Sequence, residues 1–385
     1  MLRLQNNLEY IKIQGLFLCV EKNSFIQAWY LLTKTRPFNL HLPANNRFLK
    51  IIPGKFIKIF RILRIILQYL ILKYTKHGIE DGVISVPYDG HLLLKTSNGF
   101  KLFNLKENVV ATQYDINIKK DLFSCVIKNI KYIEGLNISP KIRSVDNVNK
   151  CLYEQYINSY KAGQFYPTSL YFYKVILPVW QNIIEVYPSR KINLFEYVTN
   201  QKSYILNIIE KLKKESYDNK LLISISIFIE SLTNKILNEH NQTNISISLS
   251  HGDLHPWNIL ISRKTAVVID WDTLKERSLY HDLFYMFFQN IFGKEDVNLE
   301  GFIFHLNRSI NITSYKFKNK DINNKLSKIS INKDLYRLLF YLEYVQLDFE
   351  KRLNMFTDRS HILDRIVKIN ECIKAFEQVE MKINE

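Results

Sequence analysis

The chain has 385 residues, of which 47% are hydrophobic and 23% are charged, and its formal net charge is +16. This balance supports a large buried core and excludes a disordered chain. The four cysteines are widely spaced and form no CxxC pair, which argues against a zinc site or a disulfide framework and favours a reducing compartment.

The positive charge is concentrated near the N-terminus. Residues 1–80 contain 13 Lys and Arg against 3 Asp and Glu, a net charge of +10, which leaves +6 for the other 305 residues. Such a field favours anionic partners, including nucleotides, phosphorylated glycans and acidic lipid surfaces. No nucleic-acid-reading motif accompanies the charge, so nucleic acid is not an expected partner. The first residues lack the pattern of a signal peptide, and we expect a cytoplasmic protein.

We expect residues 1–80 to form a basic, partly helical N-terminal extension. Its most apolar stretch is residues 58–75, where a helix would place its polar side chains on an arc of roughly 120°. These side chains are Lys58, Arg61, Arg64 and Gln68. One interpretation is a helix docked on the rest of the protein with a wet basic edge. The other is a helix lying in a membrane surface, since its arginines argue against a spanning helix.

Residues 81–158 have the pattern of a small β-rich lobe. The runs GHLLLKTS, FKLFNLK and VVATQYD predict a three-stranded meander, with Asn98-Gly99 as a strong hairpin signal between the first two. Helical spacing follows over residues 119–136, and PKIRSV and KCLYEQYI predict two more strands. The order is therefore three strands, one helix and two strands.

Residues 159–385 are mainly helical, with a short β-rich interruption at residues 245–270. Long amphipathic or buried helices are predicted on both sides of the interruption. We therefore expect an α+β fold with a small β-rich N-lobe and a large helical C-lobe.

The chemistry-bearing segment is ISISLSHGDLHPWNILISRKTAVVIDWD, residues 245–272. Two short β runs direct Asp253, Asn258 and Asp270 towards one point. One carboxamide and two carboxylates suit Mg²⁺ and a single general base, which is the combination that phosphoryl transfer requires. An isolated HGD or IDWD would indicate only a turn, and the joined pattern is far more specific.

HGDLHPWNIL, followed twelve residues after its Asn by the Asp of IDWD, resembles the catalytic and metal loops of the aminoglycoside phosphotransferase and choline kinase-like family. The resemblance implies a bilobal protein-kinase-like fold and the cofactors ATP and Mg²⁺. It also implies that Asp253 is the catalytic base, that Asn258 binds magnesium and that Asp270 bridges magnesium to the phosphates.

Other residues near the motif have supporting roles in the prediction. Asp272 matches a further acidic position of the family. We expect His251 and His255 to brace the loop, and Asp282 in HDLFYMFF to be a structural cap or loop anchor.

The small lobe would hold the nucleotide. CLYEQYI resembles the last strand and hinge of a kinase N-lobe, so the resemblance implies that backbone groups of Gln155 to Ile157 face adenine. The structural alternative for Glu154 and Tyr156 is that they cover a strand edge.

The family's phosphate-binding Lys is missing from the third strand. VVATQYD has Thr112 or Gln113 at that position, and Gln113 can donate a hydrogen bond but supplies no charge. Lys101 on the preceding strand is an alternative, with Asp121 as its helix acid.

The sequence thus predicts an ATP- and magnesium-dependent kinase acting on a hydroxyl of a small molecule or saccharide, with a cell-envelope glycan as one candidate. Two alternatives stay open. One is a catalytically weak pseudokinase that binds nucleotide or an anionic glycan. The other is a membrane-surface interaction protein in which residues 1–80 do the main work. For the kinase, the basic N-terminal extension suggests a lipid-linked saccharide acceptor and a peripheral location at the inner face of the membrane.

Overall fold

The computed structural model describes most of the chain. The described residues are 8–13, 16–38, 54–75, 83–86, 88–96, 99–114, 120–134, 138–162, 170, 172–187, 189–215, 217–240, 243–261, 266–289, 291–292, 298–319, 332–353 and 359–385. The chain forms two compact units. One comprises Met1–Ala162 and Leu260–Ile269, and the other comprises Gly163–Ile259 and Asp270–Glu385.

The first unit is built on an eight-stranded sheet in the order β3-β1-β2-β4-β5-β6-β8-β7. Every neighbouring pair is antiparallel. The strands are β1 Leu8–Ile13, β2 Leu16–Cys19, β3 Val83–Val86, β4 Leu92–Thr96, β5 Gly99–Asn104, β6 Val109–Tyr114, β7 Ile142–Asp146 and β8 Cys151–Gln155.

The predicted meander is found as β4, β5 and β6. Leu93 pairs with Leu102, and Leu102 pairs with Ala111, so apolar side chains align across the three strands. Helix α3 (Lys120–Ile133) follows, and β7 and β8 complete the predicted order. Together with the helical second unit, this sheet confirms the predicted α+β class.

The first 80 residues contribute strands to this sheet, so the predicted division at residue 80 does not coincide with a boundary of the unit. Phe17 of β2 pairs with Leu93 of β4, and Leu18 pairs with Leu92. Leu18 and Leu92 are both fully buried. Burial of these apolar side chains is the physical reason why β1 and β2 join the lobe and do not form a separate extension.

Helices α1 (Ser24–Thr33) and α2 (Gly54–Thr75) also belong to the first unit. Ile62, Ile65 and Tyr69 of α2 lie in the same core cluster as residues of β1, β2 and β4. The Tyr69 hydroxyl lies 3.0 Å from the Cys19 carbonyl oxygen, so the middle of α2 is fixed to the end of β2. The helix predicted at residues 58–75 is thus docked by one of its apolar faces.

A small sheet in the order β13-β12-β9 completes the first unit. Its strands are β9 (Tyr160–Lys161), β12 (Ile259–Ile261) and β13 (Ala266–Val268). Leu260 pairs with Lys161, and the Val268 N–H donates to the Ile138 carbonyl at 2.6 Å.

The second unit contains the sheet β10-β11-β14 and seven α-helices among its described residues. The strands are β10 Arg190–Asn193, β11 Asn244–Ser250 and β14 Lys275–Ser278, and the helices are α4 Leu177–Val186, α5 Leu194–Lys214, α6 Asn219–Glu239, α7 His281–Phe288, α8 Leu299–Asn319, α9 Lys333–Leu353 and α10 Arg359–Asn384. Helix α5 begins at Leu194, because residues 190–193 pair with β11 and the Asn193 side chain caps α5 by accepting from the Glu196 N–H.

By length and hydropathy, α6 is the one helix in the described part of the chain that would suffice to cross a membrane. Its buried side chains recur at helical spacing through Leu222, Ile225, Ile229 and Ile236. This stripe packs against α5, α9 and α10, as expected for a core helix of the unit.

Candidate active site

The HGD loop begins at the end of the central strand of the second unit's sheet. β11 pairs with β10 on one side and with β14 on the other. The chain leaves β11 at Ser250, passes through residues 251–255 and enters a 3-10 turn at Pro256–Asn258. A central strand holds the start of this loop rigidly.

Asp282 at the start of α7 fixes the beginning of the loop. One carboxylate oxygen accepts from the Ser250 hydroxyl at 2.8 Å and from the Gly252 N–H at 2.9 Å. The other oxygen accepts from the His251 N–H at 2.8 Å. Asp282 is only 2% exposed, so these charge-assisted hydrogen bonds are shielded from water.

Gly252 is required by both its backbone conformation and its surroundings. Its φ is +80°, and an added Cβ would lie 2.7 Å from Nη1 of Arg277 and 2.9 Å from the Thr273 carbonyl oxygen. The buried Arg277 side chain donates to that same Thr273 carbonyl at 3.1 Å. The loop therefore passes too close to Arg277 for any larger residue.

His251 and His255 lie within the loop and accept backbone hydrogen bonds. Nδ1 of His251 accepts from the Asp253 N–H at 3.2 Å, and its ring lies 4.6 Å from that of Trp271. Nδ1 of His255 accepts from the Trp257 N–H at 3.2 Å, and its Nε2 lies 3.7 Å from a carboxylate oxygen of Asp253. Both rings thus have one nitrogen committed to the shape of the loop.

Asp253 and Asn258 are joined directly. Nδ2 of Asn258 donates to the Asp253 backbone carbonyl at 3.0 Å. This bond orients the amide, so that its Oδ1 is the atom that can face a cation. The Asp253 side chain is 28% exposed and can meet a substrate, whereas Asn258 is 6% exposed.

Asp270 follows β13 and has a left-handed backbone conformation, with φ 66° and ψ 54°. Residues other than glycine adopt this region rarely, although Asp and Asn do so more readily than most, and such conformations cluster at functional sites. The 3-10 turn Trp271–Thr273 begins immediately after Asp270 and includes the half-buried Asp272.

The donor set suits Mg²⁺. Asn258 and Asp270 supply hard oxygen atoms, and magnesium in phosphotransferases takes few protein ligands and completes its shell with phosphate and water. Within the described ranges, no group of three or more His, Cys, Asp or Glu side chains could hold a metal ion. A site in which an amide and phosphates supply ligands does not need such a group. The metal role of Asp272 stays a prediction.

Tyr285 is a site residue that the sequence did not reveal. Burial raises its pKa well above the ordinary value, and the neighbouring Asp253 carboxylate, to which its hydroxyl donates, raises it further. The phenol therefore stays protonated. The only sequence signal was a tyrosine three residues after Asp282 in HDLFYMFF.

Glu343 of α9 is a buried carboxylate that joins β14 to the start of α7. It accepts from the Ser278 N–H at 2.7 Å, the Ser278 hydroxyl at 2.7 Å and Nδ1 of His281 at 2.8 Å, and also from the Tyr197 hydroxyl. Burial alone would raise the pKa of Glu343, but these hydrogen bonds hold it below the ordinary value. The charged carboxylate thus fixes the end of β14 to the residue that precedes Asp282.

The Gln113 side chain is engaged within the first unit, and its contact with a nucleotide stays a prediction. Its side-chain amide donates to the backbone carbonyls of Tyr114, at 3.1 Å, and Asn149. The turn after β7 therefore uses the donor that was predicted for a phosphate. Lys101 is half-buried on β5 opposite Thr112, and the Asp121 side chain lies outside the described residues, so their pairing stays a prediction.

Two backbone amides of the predicted hinge form hydrogen bonds within the first unit. The Gln155 N–H donates to the Lys141 carbonyl and the Tyr156 N–H donates to the Asn108 carbonyl, each at 2.8 Å. Contact of the backbone of Gln155 to Ile157 with adenine stays a prediction. The Tyr156 ring is 5% exposed and its hydroxyl donates to the Lys34 carbonyl. The Tyr156 side chain is a core residue, and does not merely cover a strand edge.

Two other hinge residues are less buried. Glu154 and Ile157 are both partly exposed, and the Ile157 carbonyl accepts from the Ser159 N–H at 2.9 Å. Nucleotide contact by Glu154 and Ile157 stays a prediction.

Sequence comparison with family models finds one match. Residues 230–304 match the model described as "Phosphotransferase enzyme family". This segment contains Asp253, Asn258, Asp270, Asp282 and Tyr285, and it confirms the predicted resemblance to phosphotransferase enzymes. No curated protein sequence was found to match the chain.

Comparison with solved structures finds kinases. A choline kinase of Streptococcus pneumoniae is 16% identical, with 74% of this chain and 89% of that chain covered and a TM-score of 0.43. An ethanolamine kinase of Plasmodium vivax is 14% identical, with 93% and 96% covered and a TM-score of 0.47. An aminoglycoside phosphotransferase of Streptomyces rimosus, in complex with ADP and streptomycin, is 12% identical, with 64% and 90% covered and a TM-score of 0.42. At these identities and TM-scores, the acceptors of those proteins are not carried over to this chain.

Proposed function

We propose that this chain, whose residues 230–304 match the phosphotransferase enzyme family, is a kinase that transfers the γ-phosphoryl group of ATP to a hydroxyl of a small molecule or saccharide. The observation that carries the proposal is the geometry of one loop. A hydrogen bond from Asn258 to the Asp253 carbonyl orients the amide oxygen that would bind magnesium, while the Asp253 side chain remains accessible.

Asp253 would orient the acceptor hydroxyl and take its proton as the oxygen attacks phosphorus. The Tyr285 hydroxyl donates to the Asp253 carboxylate, and this hydrogen bond would hold the side chain of the base in position. His251 fixes the backbone of Asp253 through the bond to its N–H.

Asn258 and Asp270 would hold magnesium through their side-chain oxygens. Magnesium, when bound, neutralises charge on the phosphates of ATP. The left-handed backbone at Asp270 is consistent with a position in which ligand geometry outweighs local strain.

The net charge of the chain indicates which class of acceptor fits. The chain carries +16, which favours an anionic acceptor over a polycationic one. A phosphorylated or otherwise acidic saccharide, such as a cell-envelope glycan, therefore fits better than an aminoglycoside.

One observation favours a second candidate function. Strand β6, the third strand of the predicted meander, has no Lys. The Gln113 amide, which was predicted to replace the Lys, donates to two backbone carbonyls. A protein that binds nucleotide but turns it over weakly would fit this arrangement.

The test is magnesium-dependent ATP binding and turnover with a panel of sugar, phosphorylated sugar and lipid-linked acceptors. It compares wild type, Asp253→Asn and, as a matched control, Asp218→Asn at the exposed N-cap of α6. The proposal requires phosphorylated product from wild type and from Asp218→Asn, and its loss in Asp253→Asn with ATP binding retained. ATP binding without turnover on any acceptor would favour the pseudokinase, and failure to bind nucleotide would overturn both candidates.

A further inference from the structure

Helix α2 has two apolar faces, and among the described residues only one of them packs into the core of the first unit. Its inner face is buried, and Ile62, Ile65 and Tyr69 on this face lie in one core cluster with residues of the first unit's sheet. Its opposite side, which we call the outer stripe, consists of large hydrophobic side chains that are 43–77% exposed. The outer stripe is Phe56, Ile59, Phe60, Leu63, Leu67, Ile71 and Tyr74.

The outer stripe is continuous. Its members recur at spacings of three and four residues, so they share one side of the helix. From Phe56 to Tyr74 the stripe runs for about 27 Å at 1.5 Å per residue. A contiguous exposed apolar surface of this length is uncommon on a soluble protein and indicates an interaction site.

Helix α1 lies beside α2 in the first unit and exposes apolar side chains of its own. The Lys58 ammonium donates to the Leu32 carbonyl at 2.7 Å, and the Lys73 ammonium donates to the Lys22 carbonyl at 3.3 Å. These two contacts show that α1 and α2 run antiparallel. The apolar side chains of α1 that are exposed are Phe25, Ile26, Trp29 and Leu32.

The charge of this helix pair identifies its partner. The sequences of α1 and α2 contain no Asp or Glu, whereas α2 contains five Lys and Arg. Arg64 is exposed, and at 100° per residue it lies about 70° from the centre of the outer stripe, at its edge. An apolar stripe with a cationic edge and aromatic residues is the pattern of a helix that lies in an anionic membrane surface.

We propose that the outer stripe of α2 binds the surface of a membrane that contains anionic lipids, with the helix parallel to the membrane plane. The docked inner face excludes a spanning orientation, because Tyr69 is fixed to the carbonyls of Cys19, Val20 and Lys22. The proposal also reconciles the two interpretations left open by the sequence, since one face of the helix is docked and the other is exposed.

Membrane binding is measured without ATP or acceptor, so the experiment tests this proposal independently of the proposed kinase activity. The experiment is flotation of the full chain with vesicles of phosphatidylcholine alone and of phosphatidylcholine with phosphatidylglycerol. The test variant is Leu63→Gln with Leu67→Gln, which changes two outer-stripe residues without altering charge. The matched control is Ile223→Gln with Ile227→Gln, a pair at the same spacing on α6 that is 47% and 64% exposed.

Wild type and the α6 control are expected to float with the anionic vesicles and bind neutral vesicles more weakly. The outer-stripe variant is expected to lose about tenfold or more in partitioning, because two leucines no longer enter the apolar layer. Arg64→Glu is expected to reduce partitioning to anionic vesicles by about tenfold and to leave partitioning to neutral vesicles unchanged. Thermal unfolding of each variant shows that the fold is retained.

Three results would overturn the proposal. Wild type could fail to bind anionic vesicles, or the two double variants could lose binding equally. The third is that Arg64→Glu binds anionic vesicles as well as wild type, which would remove the role of anionic lipid. If wild type is a dimer that the outer-stripe variant dissociates, with no vesicle binding, the surface is instead a contact between two copies of this chain.

Discussion

The Asp282 carboxylate accepts a 2.9 Å hydrogen bond from the N–H of Gly252, the residue that precedes Asp253. Asp282 lies at the start of α7, and Gly252 lies just beyond the end of β11, thirty residues earlier in the chain. The position of the proposed catalytic base therefore depends on a buried charge at the end of another element.

Asp282→Asn is expected to destabilise the protein by about 2–3 kcal/mol, because an amide NH₂ would face one of the buried donors now bound by the carboxylate. Urea unfolding measures the change. Asp218→Asn is the control, since Asn caps the exposed start of α6 as well as Asp does. Equal stability of the two variants would show that the Asp282 bonds contribute nothing specific.

Gly252→Ala is expected to destabilise by about 2 kcal/mol or more, because φ of +80° strains a residue with a Cβ and the Cβ would meet Arg277. Gly301→Ala is the control, since its Cβ would meet only the flexible Asn298 side chain at 3.0 Å in the first turn of α8. Unfolding free energies measure both. A Gly252→Ala protein as stable as Gly301→Ala would contradict the close approach to Arg277.

Tyr285→Phe is expected to raise the pKa of Asp253, because it removes a hydrogen bond to the ionised carboxylate. The acid limb of the kcat/KM profile should then move to higher pH, with kcat at its plateau reduced by about threefold to tenfold. Tyr280→Phe is the control, since Tyr280 is buried just before α7 and its hydroxyl lies 3.4 Å from that of Ser314. An unchanged acid limb in Tyr285→Phe would exclude a positioning role for this hydroxyl.

The local patterns of the sequence predicted much of the fold. Asn98-Gly99 between apolar runs predicted the β4–β5 hairpin, and the spacing of apolar residues predicted α3 and the presence of long helices on both sides of residues 245–270. These signals are contained within one element or one turn, so they can be read without knowledge of distant partners.

The missed features depend on contacts between distant residues. β2 has four residues and reaches β4 through the pairing of Phe17 with Leu93, 76 positions apart. Tyr285 and Asp253 are separated by 32 residues, and no spacing rule links them. The hydrogen bond from Gln113 to the Asn149 carbonyl could not be predicted for the same reason, because Asn149 lies beyond α3 and β7.

His91 should make stability depend on pH in the mildly acid range. It is 3% exposed, and its Nδ1 accepts from the Leu105 N–H at 3.2 Å, which only the neutral ring can do. Burial lowers the pKa of His91 to about 4. The positive charges of Lys22, Lys106 and Lys34 also lower this pKa, whereas the negative charge of Asp89 raises it. Because the folded-state pKa is below the ordinary value of about 6.5, the unfolded chain binds a proton in this interval that the folded chain does not.

The stabilising contribution of the neutral His91 ring is therefore complete above pH 6.5 and is lost as the pH falls towards 4, at most about 3 kcal/mol. His91→Asn keeps an acceptor for the Leu105 N–H but does not titrate, so it should reduce the slope of unfolding free energy against pH between 6.5 and 4. His240 and His305, whose pKa values are also lowered by burial, would leave a residual slope in the variant. Urea unfolding at a series of pH values measures the difference, and identical slopes for wild type and His91→Asn would show that the His91 ring titrates alike in the folded and unfolded chain.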